Sequence, residues 1–182
     1  LDEIKTGLRT PPWTLQQHLG VTADITTLSK AIGNGHSIAV VTGRREIMMA
    51  ADGVHLAATY QGETTGFAAA LATIRAVDAR GTREYVWTAG EKLIDSLQQI
   101  IAHHGVQAEV LAVPIPSMPQ LVFRYANPGL NDHLSSLFFR EAIRRGVLLH
   151  PSHNWFLSGC HTPGDLERVV QVADAAFAVM RQ

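Results

Sequence analysis

The sequence predicts a mixed α/β fold in two parts. Short β-branched runs such as "ADITTLSK" and "IAVVTG" alternate with segments of helical character. Two long helical segments, 64 to 79 and 82 to 103, then follow one another with only a glycine-containing break between them. Strand and helix signals resume beyond them and run to a closing helix, the pattern of two α/β layers in succession.

The elements can be justified in order. "TPPWTLQQHLG" opens on a proline pair, suited to a loop or the first turn of a helix, and stops on Gly20. "ADITTLSK" reads as a strand feeding a glycine-rich turn, and "IAVVTG" as a buried strand ended by Gly43. "RREIMMAA" favours helix, and "GVHLAATY" suggests another short strand. Residues 64 to 79 are alanine-rich and apolar almost all round, which predicts burial on several faces. Residues 82 to 103 place Val86, Leu93, Leu97 and Ile101 on one stripe, with Gly81 before them and Gly105 after. These glycines set an expected division into residues 1–80 and 81–182. Further on, "AEVLAVPI" and "PQLVFRYA" are strand candidates around a proline-rich turn. "NDHLSSLFFREAIRRG" is an amphipathic helix with Asn131 as the expected N-cap, "GVLLHP" a strand, and "TPGDLERVVQVADAAFAVMRQ" a helix capped near Thr162.

The bulk numbers narrow the function. The chain has 182 residues, 46% of them hydrophobic and 17% charged, with a net charge of −1, so it is a folding chain with no basic excess to attract nucleic acid. Its apolar runs are too short to span a bilayer, and it opens with no secretory signal pattern. One cysteine, Cys160, excludes an internal disulfide and is expected to be a small packed side chain; a reducing, cytoplasmic setting is expected. The opening "LDEI" reads as the last residues of a strand, so the expectation is a portion of a longer chain.

"LSKAIGNGHS" holds the residues of greatest chemical interest. Lys30 stands between apolar neighbours and ahead of Gly33 and Gly35. One reading is a lysine whose stem packs on Leu28 while its amine reaches water. The other is a nucleophilic amine: partial desolvation disfavours the ammonium form, and the glycines let the backbone turn close to a bulky ligand. In "LDEIKTGLR", Asp2 lies at an expected strand end, where ligand-binding residues of α/β sheets collect. Ile4, two residues on, faces the same way if the chain is extended. An acid and an apolar group on one side suit a protonated heteroaromatic ring; a solvated pair, Asp2 and Glu3, is the alternative.

"DEIKTGLR", "TLSKAIGNGHSIAVVTGRREIM" and "TYQGETTGFAAALATI", in this order, resemble the second half of class III, fold-type I aminotransferases dependent on pyridoxal 5'-phosphate (PLP). The branch most resembled is that of glutamate-1-semialdehyde aminomutase, and "REAIRRGVLLHPSHNWFLSGCHTPGDLERVV" is similar to the family's small C-terminal domain. The resemblance implies part of a large PLP-binding domain followed by a small α/β domain. It assigns Asp2 to the pyridine nitrogen, Ile4 to the ring face, Lys30 to the covalent bond with the cofactor and to proton transfer, and Thr59 to the cofactor phosphate of a neighbouring subunit. It further implies a homodimer, a small amino or keto substrate, and a complementary N-terminal half, whether in the same chain or a separate one. A catalytically silent portion that folds and self-associates is the alternative. The family's phosphate-gripping turn and ring-stacking aromatic belong to that first half and are not found here. Where the family often has "GNP", this chain has Gly62, Glu63 and Thr64.

Other groups carry less. His150, His153, Cys160 and His161 match no closed zinc-site spacing and are read as loop residues, with His153 to Trp155 expected to line a substrate entrance. Arg9, Arg124, Arg140, Arg144 and Arg145 are all chemically able to bind a substrate carboxylate.

Overall fold

A computed structural model describes residues 1–180 apart from 56 and 113. The chain divides into two compact units, Leu1–Tyr85 and Val86–Gln182. The division runs through the first turn of a long helix.

In the first unit a short helix, α1 (Leu15–His18), precedes strand β1 (Ile25–Leu28), a 3₁₀ turn (Lys30–Ile32), strand β2 (Val40–Gly43), helix α2 (Arg45–Met49) and helix α3 (Thr64–Ala79). β1 and β2 pair antiparallel from Ile25↔Gly43 to Leu28↔Val40. On the other side of β1, Asp2 makes a parallel bridge to Thr27. Leu8, Ile32 and Ala70 form the buried centre, with Trp13, Ala31, Ile38, Val40 and Ile74 packed around it.

Three expectations for this unit are corrected. β2 is not buried: Val41 is 57% exposed, because among the described residues the strand pairs only with β1 and no layer covers its outer face. α3 has the expected limits but buries only Gly66 and Ala70, and leaves Phe67 and Leu71 half exposed. It lies against the β1–β2 turn along one narrow stripe. The strand expected at "GVHLAATY" includes Leu56, which lies outside the described residues; those around it form turns and bends.

The second unit contains most of helix α4 (Thr82–His104), strands β3 (Ala108–Ala112) and β4 (Pro119–Phe123), and helices α5 (Pro128–Arg144) and α6 (Pro163–Val179). β3 and β4 form an antiparallel hairpin from Ala108↔Phe123 to Ala112↔Pro119. The stripe expected on α4 is buried, with Val86, Leu93, Leu97 and Ile101 each at most 6% exposed. Phe123, Phe138 and Phe177 meet in the core, the last two with ring centroids 4.7 Å apart. Gly90 lets α4 approach the Pro116 carbonyl, which a Cβ would strike.

Two expectations are corrected here. The N-cap of α5 is Asn127, whose side chain accepts from Gly129 N, with Pro128 in the first turn. Asn131 lies inside the helix and bridges Tyr125 instead, accepting from its N–H at 2.8 Å and donating to its carbonyl at 3.0 Å. "GVLLHP" forms no strand: Val147 N closes the end of α5 on the Ala142 carbonyl, and Leu148 is 83% exposed. The backbone that runs beside β4 is further on, where Trp155 and Leu157 donate to Pro119 and Ser117.

Candidate active site

The first three residues complete a parallel ladder with β1. Leu1 N donates to the Ile25 carbonyl, Thr27 N to Leu1, and Glu3 N to Thr27, at 2.6, 3.0 and 2.9 Å. Asp2 and the end of β1 are thereby neighbours at the carboxyl ends of parallel segments, the usual place for a ligand in an open α/β sheet. Lys30 follows three residues beyond Thr27, the residue bridged to Asp2.

Lys30 sits at φ 50°, in the left-handed region that a residue with a Cβ rarely adopts. Such backbone costs about 1–3 kcal/mol and persists only where its surroundings enforce it. Here the Lys30 carbonyl accepts from Gly33 N and Asn34 N, and Ser29 Oγ donates to the Ile38 carbonyl at 2.8 Å. Ile32 is drawn into the core while Lys30 is left exposed. This corrects the expectation of a desolvated amine: the chain by itself does not bury it. The two glycines differ in their task. Gly35 has φ 101°, whereas Gly33 has an ordinary φ of −84° and is needed because a Cβ would strike the His36 carbonyl.

Asp2 is exposed, and its Oδ1 accepts from Ile4 N at 2.8 Å. Ile4 is half-buried in the turn that starts there, so the extended geometry expected for Asp2 and Ile4 is not formed. Thr59 lies in an exposed turn of the segment leading to α3. The structure thus brings Asp2 and the Lys30 turn to the same end of the β1 ladder and carries Thr59 on a separate loop.

Sequence reasoning missed two acids. Glu3 is not part of a solvated pair: it is fully buried and caps α1, accepting from Leu15 N at 2.7 Å and Gln16 N at 3.0 Å. Glu63 is the N-cap of α3 and accepts from Thr65 N and Gly66 N, each at 2.9 Å. Its hydrogen bonds with Thr65, side chain and backbone, and with Gly66 N hold its carboxyl below the ordinary range, with a smaller contribution from His36. Capping gives Glu63 a physical role in the "GET" triplet, and an acid at this position is a signal visible in the sequence.

Three of the five candidate arginines make local ion pairs. Arg124 pairs with Glu109, and Arg144 and Arg145 both pair with Glu141. His153 and Trp155 line a groove of about 870 Å³ formed with residues of α5 and α6, all within the second unit. Cys160 is exposed, not packed as expected. Among the described residues no group of three or more acids, histidines or cysteines is placed to hold a metal ion, and no helix is long and apolar enough to cross a membrane.

Comparison with known proteins sets these features in a family. The chain is 33% identical over its whole length to a glutamate-1-semialdehyde 2,1-aminomutase from Desulfatibacillum aliphaticivorans and covers 44% of it. It is 29% identical to a 3-aminobutyryl-CoA aminotransferase from Cloacimonas acidaminovorans, again over its whole length and 44% of the relative. Among solved structures, the FumI protein of Sphingopyxis sp. MTA144, in its PLP internal aldimine form, matches with a TM-score of 0.89 at 26% identity, over 99% of this chain and 42% of that one. An omega-transaminase from Sphaerobacter thermophilus shares the fold with a TM-score of 0.86 at 21% identity. The chain therefore spans less than half the length of the relatives it matches. The family model for class-III aminotransferases matches residues 1–115, and this chain belongs to that family.

Proposed function

We propose that this chain carries the lysine-bearing half of a PLP-dependent enzyme of amino-group transfer, an aminotransferase or an aminomutase. The observation that carries the reading is the left-handed Lys30 immediately beyond the β1 ladder that holds Asp2. The residues fit the cofactor in kind. Asp2 offers a carboxylate to a protonated ring nitrogen, Lys30 an exposed primary amine to an aldehyde, and Thr59 a hydroxyl and an N–H to a phosphate oxygen. Ile4 supplies the apolar group, provided that its turn rearranges toward the ring.

Bound PLP would supply an electron sink for the carbon that gains or loses the amino group. The chain's own part is to hold and move protons. Asp2 would pair with the ring nitrogen and keep it protonated, and Lys30 would hold the cofactor through its amine and, when not bonded to it, move a proton. Residues 1–80 are read as the remnant of the large cofactor domain and 81–182 as the small domain. A homodimer follows from the reading of Thr59 as a donor to a neighbour's phosphate, and the exposed Phe67 and Leu71 of α3 offer it an apolar surface. The single cysteine favours a reducing, cytoplasmic compartment.

A second reading, a catalytically silent portion, is favoured for the isolated chain by the exposure of Lys30. Titration with PLP separates the two. The first reading predicts a saturable absorption band of the protonated lysine adduct that Lys30→Ala abolishes. Absence of a saturable band, or its survival in Lys30→Ala, supports the second.

A further inference from the structure

Glu3 carries a carboxylate that the proposed chemistry does not use, and none of its surface is exposed. A carboxylate is tolerated without water only when donors fill its lone pairs. Here Leu15 N and Thr6 Oγ1 donate to Oε2 at 2.7 and 3.0 Å, and Gln16 N donates to Oε1 at 3.0 Å. Leu15 and Gln16 begin α1, where N–H groups lack partners inside the helix. An apolar side chain could fill the space but would leave these donors unsatisfied.

The backbone of Glu3 is fixed as well. Its N–H donates to Thr27 on β1, and its carbonyl accepts from Gly7 N at 2.9 Å. Gln16 completes the circuit from α1 to β1, since its Nε2 donates to Thr26 Oγ1 at 3.3 Å and its Oε1 accepts from Ala23 N at 3.1 Å. Residue 3 is thus pinned between β1 and α1 by both its backbone and its side chain. Along an extended chain adjacent side chains point to opposite faces. Anchoring Glu3 inward therefore turns Asp2 outward, and the burial alternates accordingly, Asp2 exposed and Glu3 buried.

We infer that Glu3 is a positioning residue for Asp2: it fixes the register and direction in which Asp2 faces the Lys30 end of β1. The inference rests on the roles proposed above for Asp2 and Lys30. Its test is read first without cofactor, by amide hydrogen exchange in the whole chain.

Glu3→Gln puts an amide NH₂ against one of the backbone donors. The amides of residue 3 and Thr27, which join the first residues to β1, should exchange about tenfold faster or more, while the β1–β2 ladder keeps its protection. With PLP bound, the same variant should shift the absorption band in the direction that Asp2→Asn shifts it, and the double variant should shift it no further. Uniform acceleration through the first unit, or none, overturns the inference, because Glu3 would then act on stability alone or not at all. If Glu3→Gln does not fold, Thr6→Val removes one donor and keeps the shape. It should speed the same two amides by about threefold, and no selective change in it counts equally against the inference. Failure to trap PLP on Lys30 in the unsubstituted chain overturns the proposed function, and the exchange pattern still decides the role of Glu3 as the anchor of residue 2.

Discussion

Lys30 and Glu3 are both charged residues close to a strand end, and the fold treats them in opposite ways. Lys30 was legible as a chemical residue through its neighbours and the glycines behind it. Its strained φ and its exposure were not, because they depend on Ser29 reaching Ile38 and on Ile32 turning into the core. Glu3 was misread because its donors Leu15 and Gln16 lie 12 and 13 positions away, beyond the reach of any local pattern. Among the other acids, Glu141 is 8% exposed, and its hydrogen bond with Arg145, assisted by Arg144, holds its carboxyl below the ordinary range. A carboxyl whose folded pKa is depressed adds stability above the unfolded value, and that stability is lost as pH falls through the folded value. The second unit should therefore lose stability below about pH 4.5, the ordinary value for this group. Glu141→Gln should flatten that part of the profile in acid-unfolding measurements followed by circular dichroism; an unchanged acid limb contradicts the assignment.

At the scale of elements, the limits of α3 and α4 were readable because glycine marks them: Gly81 and Gly105 both have positive φ, as helix-ending glycines do. The start of α6 was equally clear. Thr162 and Asp165 form a reciprocal capping box with Pro163 in the first turn. Thr162→Ala should cost about 1 kcal/mol and lower Tm by a few degrees in thermal unfolding; no change would mean that α6 is held by packing alone. The start of α5 was misplaced although "NPG" carries the signal of an N-cap followed by proline. The failed strand at 146–151 has a different cause, since a short apolar run becomes a strand only when it finds a ladder partner. Gly66 separates two effects of opposite sign. Alanine in a helix interior is favoured over glycine by about 1 kcal/mol. At this position, however, a Cβ would lie 2.7 Å from the Ser37 carbonyl, on the turn that follows Lys30. The clash is with backbone and should win, so Gly66→Ala is expected to lower Tm; a rise would show that the turn yields easily.

The two units of the molecule differ in how much core they own. The first is centred on Leu8, Ile32 and Ala70, while Val41, Met49, Tyr60, Phe67 and Leu71 are all at least half exposed. The second buries Phe138, Phe177, Met118 and Ile115 almost completely. Local stability follows buried apolar contact, so limited proteolysis should cut first within residues 1–85 and leave the second unit as the lasting fragment. Early cleavage in 86–182 would contradict this ranking. The sequence showed a two-part α/β chain of the class-III aminotransferase family, and comparison bears out that family and fold. It did not show how sparsely the first unit is covered, because the apolar count of a strand or helix says nothing about whether a covering layer is present in the same chain.

The central claim is that Asp2 and Lys30 serve one cofactor ring from the same end of the β1 ladder. Borohydride reduction of the PLP-treated chain, followed by peptide mass mapping, tests it most directly. The account predicts one adduct per chain, on Lys30, with its yield reduced in Asp2→Asn. Adducts spread over Lys5, Lys92 and the amino terminus, with Lys30 no more labelled than they are, would contradict it.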